Sequence, residues 1–101
     1  MKIEFTWDSE KDGRNRVSHG VSFETAREVF FDPNVLIVED CEVDGEIRYH
    51  ALGFTGSRDL LLIVVFVDCS TEEEEILRIV SARKGDKYEE RTYARQFEEG
   101  N

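Results

Sequence analysis

The chain has 101 residues, of which 40% are hydrophobic and 36% are charged, and its formal net charge is −10. This length and composition predict one globular domain over residues 1–101 and exclude a disordered or fibrous chain. The longest apolar run, residues 60–67, is shorter than the roughly 20 residues of a membrane span. Because the N-terminus has no apolar signal region and two cysteines are too few for a disulfide scaffold, we expect a cytoplasmic protein without a membrane partner.

The acidic charge is concentrated in the middle of the chain. Residues 32–77 contain twelve acids and two bases, whereas residues 78–101 contain five acids and six bases. The chain as a whole therefore has a negative field that repels nucleic acid at long range. The bases near the C-terminus still allow a local patch that binds phosphate.

The first third of the chain predicts a strand followed by two helices. Hydrophobic alternation over residues 2–7 is typical of a short strand. Asp8 is a candidate N-cap for a helix that runs to Ser18. Ser22 is a candidate N-cap for a second helix, whose apolar residues form one stripe and which ends at Asp32-Pro33.

The remaining two thirds predict four strands and a final helix. The predicted strands are residues 35–38, 47–54, 60–67 and 76–82. Asp44-Gly45 is a hairpin signal, and Asp86 opens the last helix with Glu89 at the capping-box position. Hairpin-length connections favour antiparallel pairing. The predicted fold is therefore α+β, with a mainly antiparallel sheet of four to five strands, two N-terminal helices and one C-terminal helix.

Three motifs follow one another along most of the chain. WDSEKDGRNRVSHGVSFETAREVFFDP, from Trp7 to Pro33, has an aromatic-acidic pair, a lysine, an asparagine and His-Gly-Val-Ser-Phe before a helix that ends in Asp-Pro. RIVSARKGDKYEERTY, from Arg78 to Tyr93, has an Arg-x-x-Ser-Ala-Arg run followed by a glutamate and a tyrosine one turn apart. A weaker middle motif consists of Glu46, Arg48, Ala51 and Gly53. Together these motifs resemble the signature of BrnT-type toxins, the toxin halves of bacterial type II toxin–antitoxin pairs.

The resemblance implies a fold, an activity and a partner. BrnT-type toxins are similar in fold to RelE-type ribonucleases and are known for RNA cleavage that stops translation. The implied partner is a cognate antitoxin with a ribbon-helix-helix domain, which neutralises the toxin and binds operator DNA, so this chain would reach DNA only through the antitoxin. The sequence differs from the usual pattern in its acidic charge, in Ser18, where the family has lysine, and in Gly85, where it has alanine.

RNA can be cleaved without a metal or cofactor when its own 2′-hydroxyl attacks the neighbouring phosphate. Such a site needs a base, an acid and cations around the phosphate. The candidate proton carriers are His19, Glu89 and Tyr93. The candidate catalytic cations are Arg48, Arg78 and Arg83, and the further candidate RNA-binding residues are Lys84, Lys87 and Arg91. We expect neither a metal site nor a cofactor.

Each candidate also has a structural interpretation. For Arg48, Arg78 and Arg83 it is an ion pair with a nearby acid, and Arg48 shares its strand face with His50 and Leu52. His19 can interact with a helix C-terminus, Glu89 can close a capping box, and Tyr93 can pack in a half-buried position. Arg78 and Arg83 are five residues apart, so in a regular strand they point to opposite faces. A bulge or the end of the strand would have to bring them together, and the sequence leaves this open.

Two functions remain open at this stage. The motifs favour an antitoxin-controlled endoribonuclease. The net charge of −10 favours a RelE-like scaffold that has lost its activity and only binds the antitoxin and modulates its DNA binding, because a negative body suits a basic partner.

Overall fold

The computed structural model describes residues 2–98. Within these residues the fold contains three α-helices, one 3₁₀ helix and five strands. These are β1 (Ile3–Thr6), α1 (Ser9–His19), α2 (Phe23–Ala26), β2 (Leu36–Val43), β3 (Glu46–Phe54), β4 (Leu61–Asp68), β5 (Glu75–Lys84) and α3 (Lys87–Arg95), with a 3₁₀ helix at Arg27–Phe31. The predicted α+β class is confirmed. In this part of the chain no helix is long and apolar enough to cross a membrane.

The strands form one mixed sheet in the order β1-β5-β4-β3-β2. The pairs β2–β3, β3–β4 and β4–β5 are antiparallel, as hairpin-length connections require. β1 instead pairs parallel with β5. The prediction of a mainly antiparallel sheet is therefore correct only in part, because the first and last strands are distant in sequence and no hairpin dictates their direction.

The N-terminal helices also match the prediction only in part. α1 has the expected N-cap, since Asp8 Oδ1 accepts a hydrogen bond of 2.8 Å from the Glu10 N–H. The second predicted helix is divided: α2 is one turn long and is followed by the 3₁₀ helix. β-branched and aromatic residues, among them Thr25 and Phe30, have low helix propensity, which disfavours a long regular helix here.

β2 is longer than predicted. It extends to Val43 because Asp44 and Gly45 form a two-residue turn, with φ of 52° and 83°, that joins it directly to β3. Residues 39–43, which lie outside the predicted strands, are therefore part of an exposed edge strand.

The two faces of the sheet are covered differently. On the first, which we call the helix face, α2 and the 3₁₀ helix contribute Phe23, Ala26 and Val29 to a core with residues such as Leu62 and Ile79. On the opposite face, α3 covers only one end of the sheet, where Tyr93, Leu52, Leu61 and Ile63 form a second, smaller apolar cluster. The rest of that face lies open.

Asn15 of α1 stabilises the edge of β5 beyond the end of β1. Its side-chain amide donates to Ala82 O at 2.8 Å and accepts from Ala82 N at 3.1 Å, as a neighbouring strand would. It also donates to Val21 O, and only 6% of its surface is exposed. A buried backbone edge needs such partners, which explains why the motif has an asparagine here.

Candidate functional site: the arginine face

A β-bulge in β5 decides where its two arginines point. Phe66 of β4 pairs with Ile79, but the next residue, Val65, pairs with Ser81, so Val80 is an extra residue in β5. Such a bulge reverses the alternation of side chains beyond it. Arg78 and Arg83 therefore lie on the same face, opposite the helix face.

The strand register brings Arg48 to that face as well. Arg48 of β3 is opposite Val67 of β4, and Val67 is opposite Arg78, so the two arginines are two strands apart, about 10 Å at the usual strand spacing. In the same way, Leu52 and Ile63 align with Arg83. We call the surface carrying Arg48, Arg78 and Arg83 the arginine face.

Arg78 and Arg48 lie at the open end of this face with Glu46. Arg78 donates to Glu46 Oε1 at 2.6 Å, and this bond, with smaller contributions from the charges of Arg48 and Lys11, lowers the pKa of Glu46. The Nε of Arg48 is buried and has no hydrogen-bond partner among residues 2–98. A buried donor of this kind is costly unless an acceptor reaches it. Lys11, which the sequence analysis did not select, adds a further positive charge near this end.

Arg83 lies at the other end, against the start of α3. Its guanidinium donates two hydrogen bonds to Glu89, at 2.9 Å and 2.8 Å, in the bidentate geometry typical of arginine and a carboxylate. Glu89 also accepts from the Asp86 N–H and closes the capping box. The bond from Arg83 is the largest of the effects that lower the pKa of Glu89 to about 2. A carboxylate with so low a pKa is a weak general base.

The Glu89 pair predicts a specific loss of stability in acid. Because the pKa of Glu89 is about 2 in the folded chain and 4.5 ordinarily, its ionised form stabilises the fold above pH 4.5. This stabilisation is lost as the pH falls through about 2. We expect urea unfolding at pH 7 and pH 3 to show a smaller acid-induced loss of unfolding free energy in Glu89→Gln than in the unmodified chain. The exposed neighbour provides the control: Glu90→Gln should behave like the unmodified chain, and equal losses in all three proteins would contradict the pairing.

His50 lies between the two ends of the arginine face. It is two residues from Arg48 in β3, and it is aligned with Val65 and Ser81. Its Nε2 is 3.0 Å from Asp40 Oδ2, and the His50 side chain is 29% exposed. The alternation of β3 puts His50 on the same strand face as Arg48, but only the register to β5 shows that arginines flank it on both sides.

Tyr93 is not open to this surface. It is 4% exposed, and its hydroxyl donates to Asp32 Oδ2 at 2.7 Å. Asp32 also accepts from the Phe54 and Asn34 N–H groups. Although burial opposes it, these three hydrogen bonds lower the pKa of Asp32, whereas burial and then the bond to Asp32 raise the pKa of Tyr93. The bond between Tyr93 and Asp32 joins α3 to the turn that follows the 3₁₀ helix.

The other predicted residues lie around the arginine face. His19 is the exposed last residue of α1 and lines an open groove with Lys11, Arg14 and Val80 at the outer edge of β5. Lys84, Lys87 and Arg91 are exposed at the end of β5 and on α3. Of the nine predicted site residues, the structure thus gathers the three arginines on one face, with Glu89 bound to Arg83, while the Tyr93 hydroxyl and His19 lie elsewhere.

The side chains of the arginine face indicate which kind of ligand it can bind. A half-open sheet face with three guanidinium groups and an imidazole suits an anionic substrate. No three His, Cys, Asp or Glu side chains in residues 2–98 are grouped so that they could hold a metal ion.

The comparisons with known proteins agree with a site for an anionic substrate. Residues 7–89 match the family described as ribonuclease toxin, BrnT, of type II toxin-antitoxin system. The chain belongs to this family, which confirms the resemblance seen in the motifs. Membership in a type II system implies an antitoxin partner. A search of curated proteins finds no match.

Proposed function

We propose that this chain is a metal-independent endoribonuclease that cleaves RNA on the arginine face and thereby inhibits translation. The observation that carries the proposal is the bulge at Val80, which puts Arg78 and Arg83 on one face with Arg48. In a chain of net charge −10, this concentration of guanidinium groups is local and specific. We also propose that the fold is RelE-like and that the activity belongs to the cytoplasm, where translation occurs.

The chemistry uses the 2′-hydroxyl of the RNA itself. The 2′-oxygen bonds to the phosphorus while the bond to the 5′-oxygen breaks, which leaves a 2′,3′-cyclic phosphate and a 5′-hydroxyl. A base takes the 2′ proton and an acid protonates the leaving 5′-oxygen. Arg48, Arg78 and Arg83 stabilise the extra negative charge on the phosphate, and the buried Nε of Arg48 supports an acceptor there.

We assign both proton transfers to His50, which as a neutral ring takes the 2′ proton and as the resulting imidazolium gives it to the leaving 5′-oxygen. Imidazole carries a proton readily near neutral pH, and Asp40 orients the ring through Nε2 and leaves Nδ1 for the substrate. Glu89 is less suited, since its pKa is about 2. Tyr93 and His19 then have structural roles, while Lys84, Lys87 and Arg91 bind flanking phosphates.

The partner we propose is a ribbon-helix-helix antitoxin that neutralises this chain and binds operator DNA. The acidic surface supports contact with DNA only through that partner, because the chain itself repels phosphate at long range.

A second function has one observation in its favour. Both arginines of β5 are already bonded to carboxylates, Arg78 to Glu46 and Arg83 to Glu89. If RNA does not displace these carboxylates, the chain is an inactive scaffold that binds the antitoxin and modulates its DNA binding.

One experiment separates the two functions. The purified chain is incubated with end-labelled single-stranded RNA at pH 6–8, with and without EDTA, beside the same RNA carrying a 2′-deoxynucleotide at the cleaved position. We expect equal cleavage with EDTA, 2′,3′-cyclic phosphate ends, and no cleavage at the 2′-deoxynucleotide. Intact RNA throughout would favour the scaffold, and cleavage that needs a divalent cation would contradict the mechanism.

A further inference from the structure

On the helix face, α2 and the 3₁₀ helix leave one end of the sheet uncovered. The ring of Phe30, from the 3₁₀ helix, contacts Phe66 edge to face with centroids 4.9 Å apart, and beyond it Tyr49 stacks on Phe66 at 5.5 Å. Tyr49, Phe66, Leu77 and Ile37 then line a hollow of about 210 Å³ that crosses four strands. Ile37 is 50% exposed there, which is unusual for an isoleucine in a sheet.

A second hollow continues the first. It has a volume of about 450 Å³ and is lined by residues that include Ile47, which is 40% exposed. Tyr49 and Asp68 line both hollows, so they form one surface, which we call the strand-end groove. It lies on the helix face and the adjoining strand ends, and it borders the arginine face at Glu46, whose carboxylate is bonded to Arg78.

The charges of the strand-end groove are all of one sign. Among the described residues that line it, the charged ones are Asp68, Glu75 and Glu46, and Glu46 is paired with Arg78. The exposed loop of residues 72–74, which leads into β5, adds three glutamates. An apolar floor with an acidic rim disfavours RNA and fits a protein segment that carries both apolar and basic side chains.

We propose that the strand-end groove binds the antitoxin, through a basic segment whose apolar side chains pack on Tyr49 and Ile37. The proposal rests on the antitoxin partnership in the proposed function. The lysines or arginines of the segment pair with Asp68 and Glu75. The two surfaces meet at Glu46, but Ile37, Asp68 and Glu75 lie outside the arginine face, so substitutions there separate antitoxin affinity from RNA cleavage.

The test measures the affinity for the antitoxin expressed from the reading frame next to this gene. Asp68→Lys/Glu75→Lys should weaken binding about tenfold or more, with the larger loss at low salt. The control, Glu10→Lys/Asp59→Lys, makes the same change in charge at exposed positions outside the groove and should bind within about twofold of the unmodified chain. Ile37→Ala removes apolar contact without a change in charge and should also weaken binding, while all variants keep their thermal unfolding transitions.

Several results would overturn the proposal. These are unchanged affinity in both groove variants, loss of binding only on substitution of Arg78 or Arg83, and a dimer of the chain alone that depends on Ile37. RNA cleavage is assayed separately. A chain that binds the antitoxin through the groove and cleaves no RNA would contradict the nuclease mechanism and support the groove assignment.

Discussion

Replacing His50 by alanine is expected to lower the rate of RNA cleavage about 10²- to 10⁴-fold, the usual contribution of a general acid or base. His50 is aligned with Val65 and Ser81, between Arg48 and Arg83, and its Nε2 is 3.0 Å from Asp40. The loss should fall on kcat rather than KM, because the imidazole moves a proton and does not hold the phosphate. Single-turnover cleavage of labelled RNA from pH 5 to pH 9 gives the measurement.

Tyr93→Phe is the matched control for this prediction. It removes a hydroxyl that donates to Asp32 in a buried position, so we expect it to lower the free energy of unfolding by about 1–3 kcal/mol while cleavage at 25 °C is retained. If Tyr93→Phe abolishes cleavage and His50→Ala does not, the proton carrier is Tyr93.

We expect Arg83→Ala to reduce the rate of RNA cleavage about 10²- to 10³-fold. This is the usual cost of removing one group that stabilises the negative charge of the transition state. Arg83 lies at the end of β5, where its guanidinium donates one hydrogen bond to each carboxylate oxygen of Glu89. A phosphate presents the same pair of acceptors, so it can replace the carboxylate in this geometry. The measured quantity is kcat/KM for the labelled RNA.

Arg83→Lys separates charge from geometry. Lysine keeps the positive charge but not the planar fork, so we expect activity between that of alanine and arginine. Because the pair with Glu89 stabilises the fold, both variants should unfold at a lower temperature, Arg83→Ala more than Arg83→Lys, and activity is compared where both are folded. Full activity in Arg83→Ala would show that the pair with Glu89 is only structural.

The pairing of the arginines with carboxylates has a consequence for the rate of RNA binding. RNA must displace Glu46 from Arg78 and Glu89 from Arg83, and it must approach a chain of net charge −10. Added salt weakens the long-range repulsion but also weakens the contacts with phosphate. This chain is therefore expected to be a slower nuclease than a relative with a basic surface.

Much of the fold and part of the site could be predicted from the sequence. The caps at Asp8, Ser22 and Asp86 are signals that act over three or four residues, and each one forms in the structure. The alternation in β3 correctly puts Arg48 and His50 on one face. The motifs indicated the family, and residues 7–89 match it.

The remaining features depend on contacts between distant residues. The direction of β1, the bulge at Val80 and the bond between Tyr93 and Asp32, 61 positions apart, are not encoded in any short segment. Local sequence signals are enough to predict most of the elements, their caps and the presence of the arginines. Which side chains share the arginine face depends on tertiary contacts, because one extra residue in a strand reverses every side chain beyond it, and packing against the neighbouring strand places that residue.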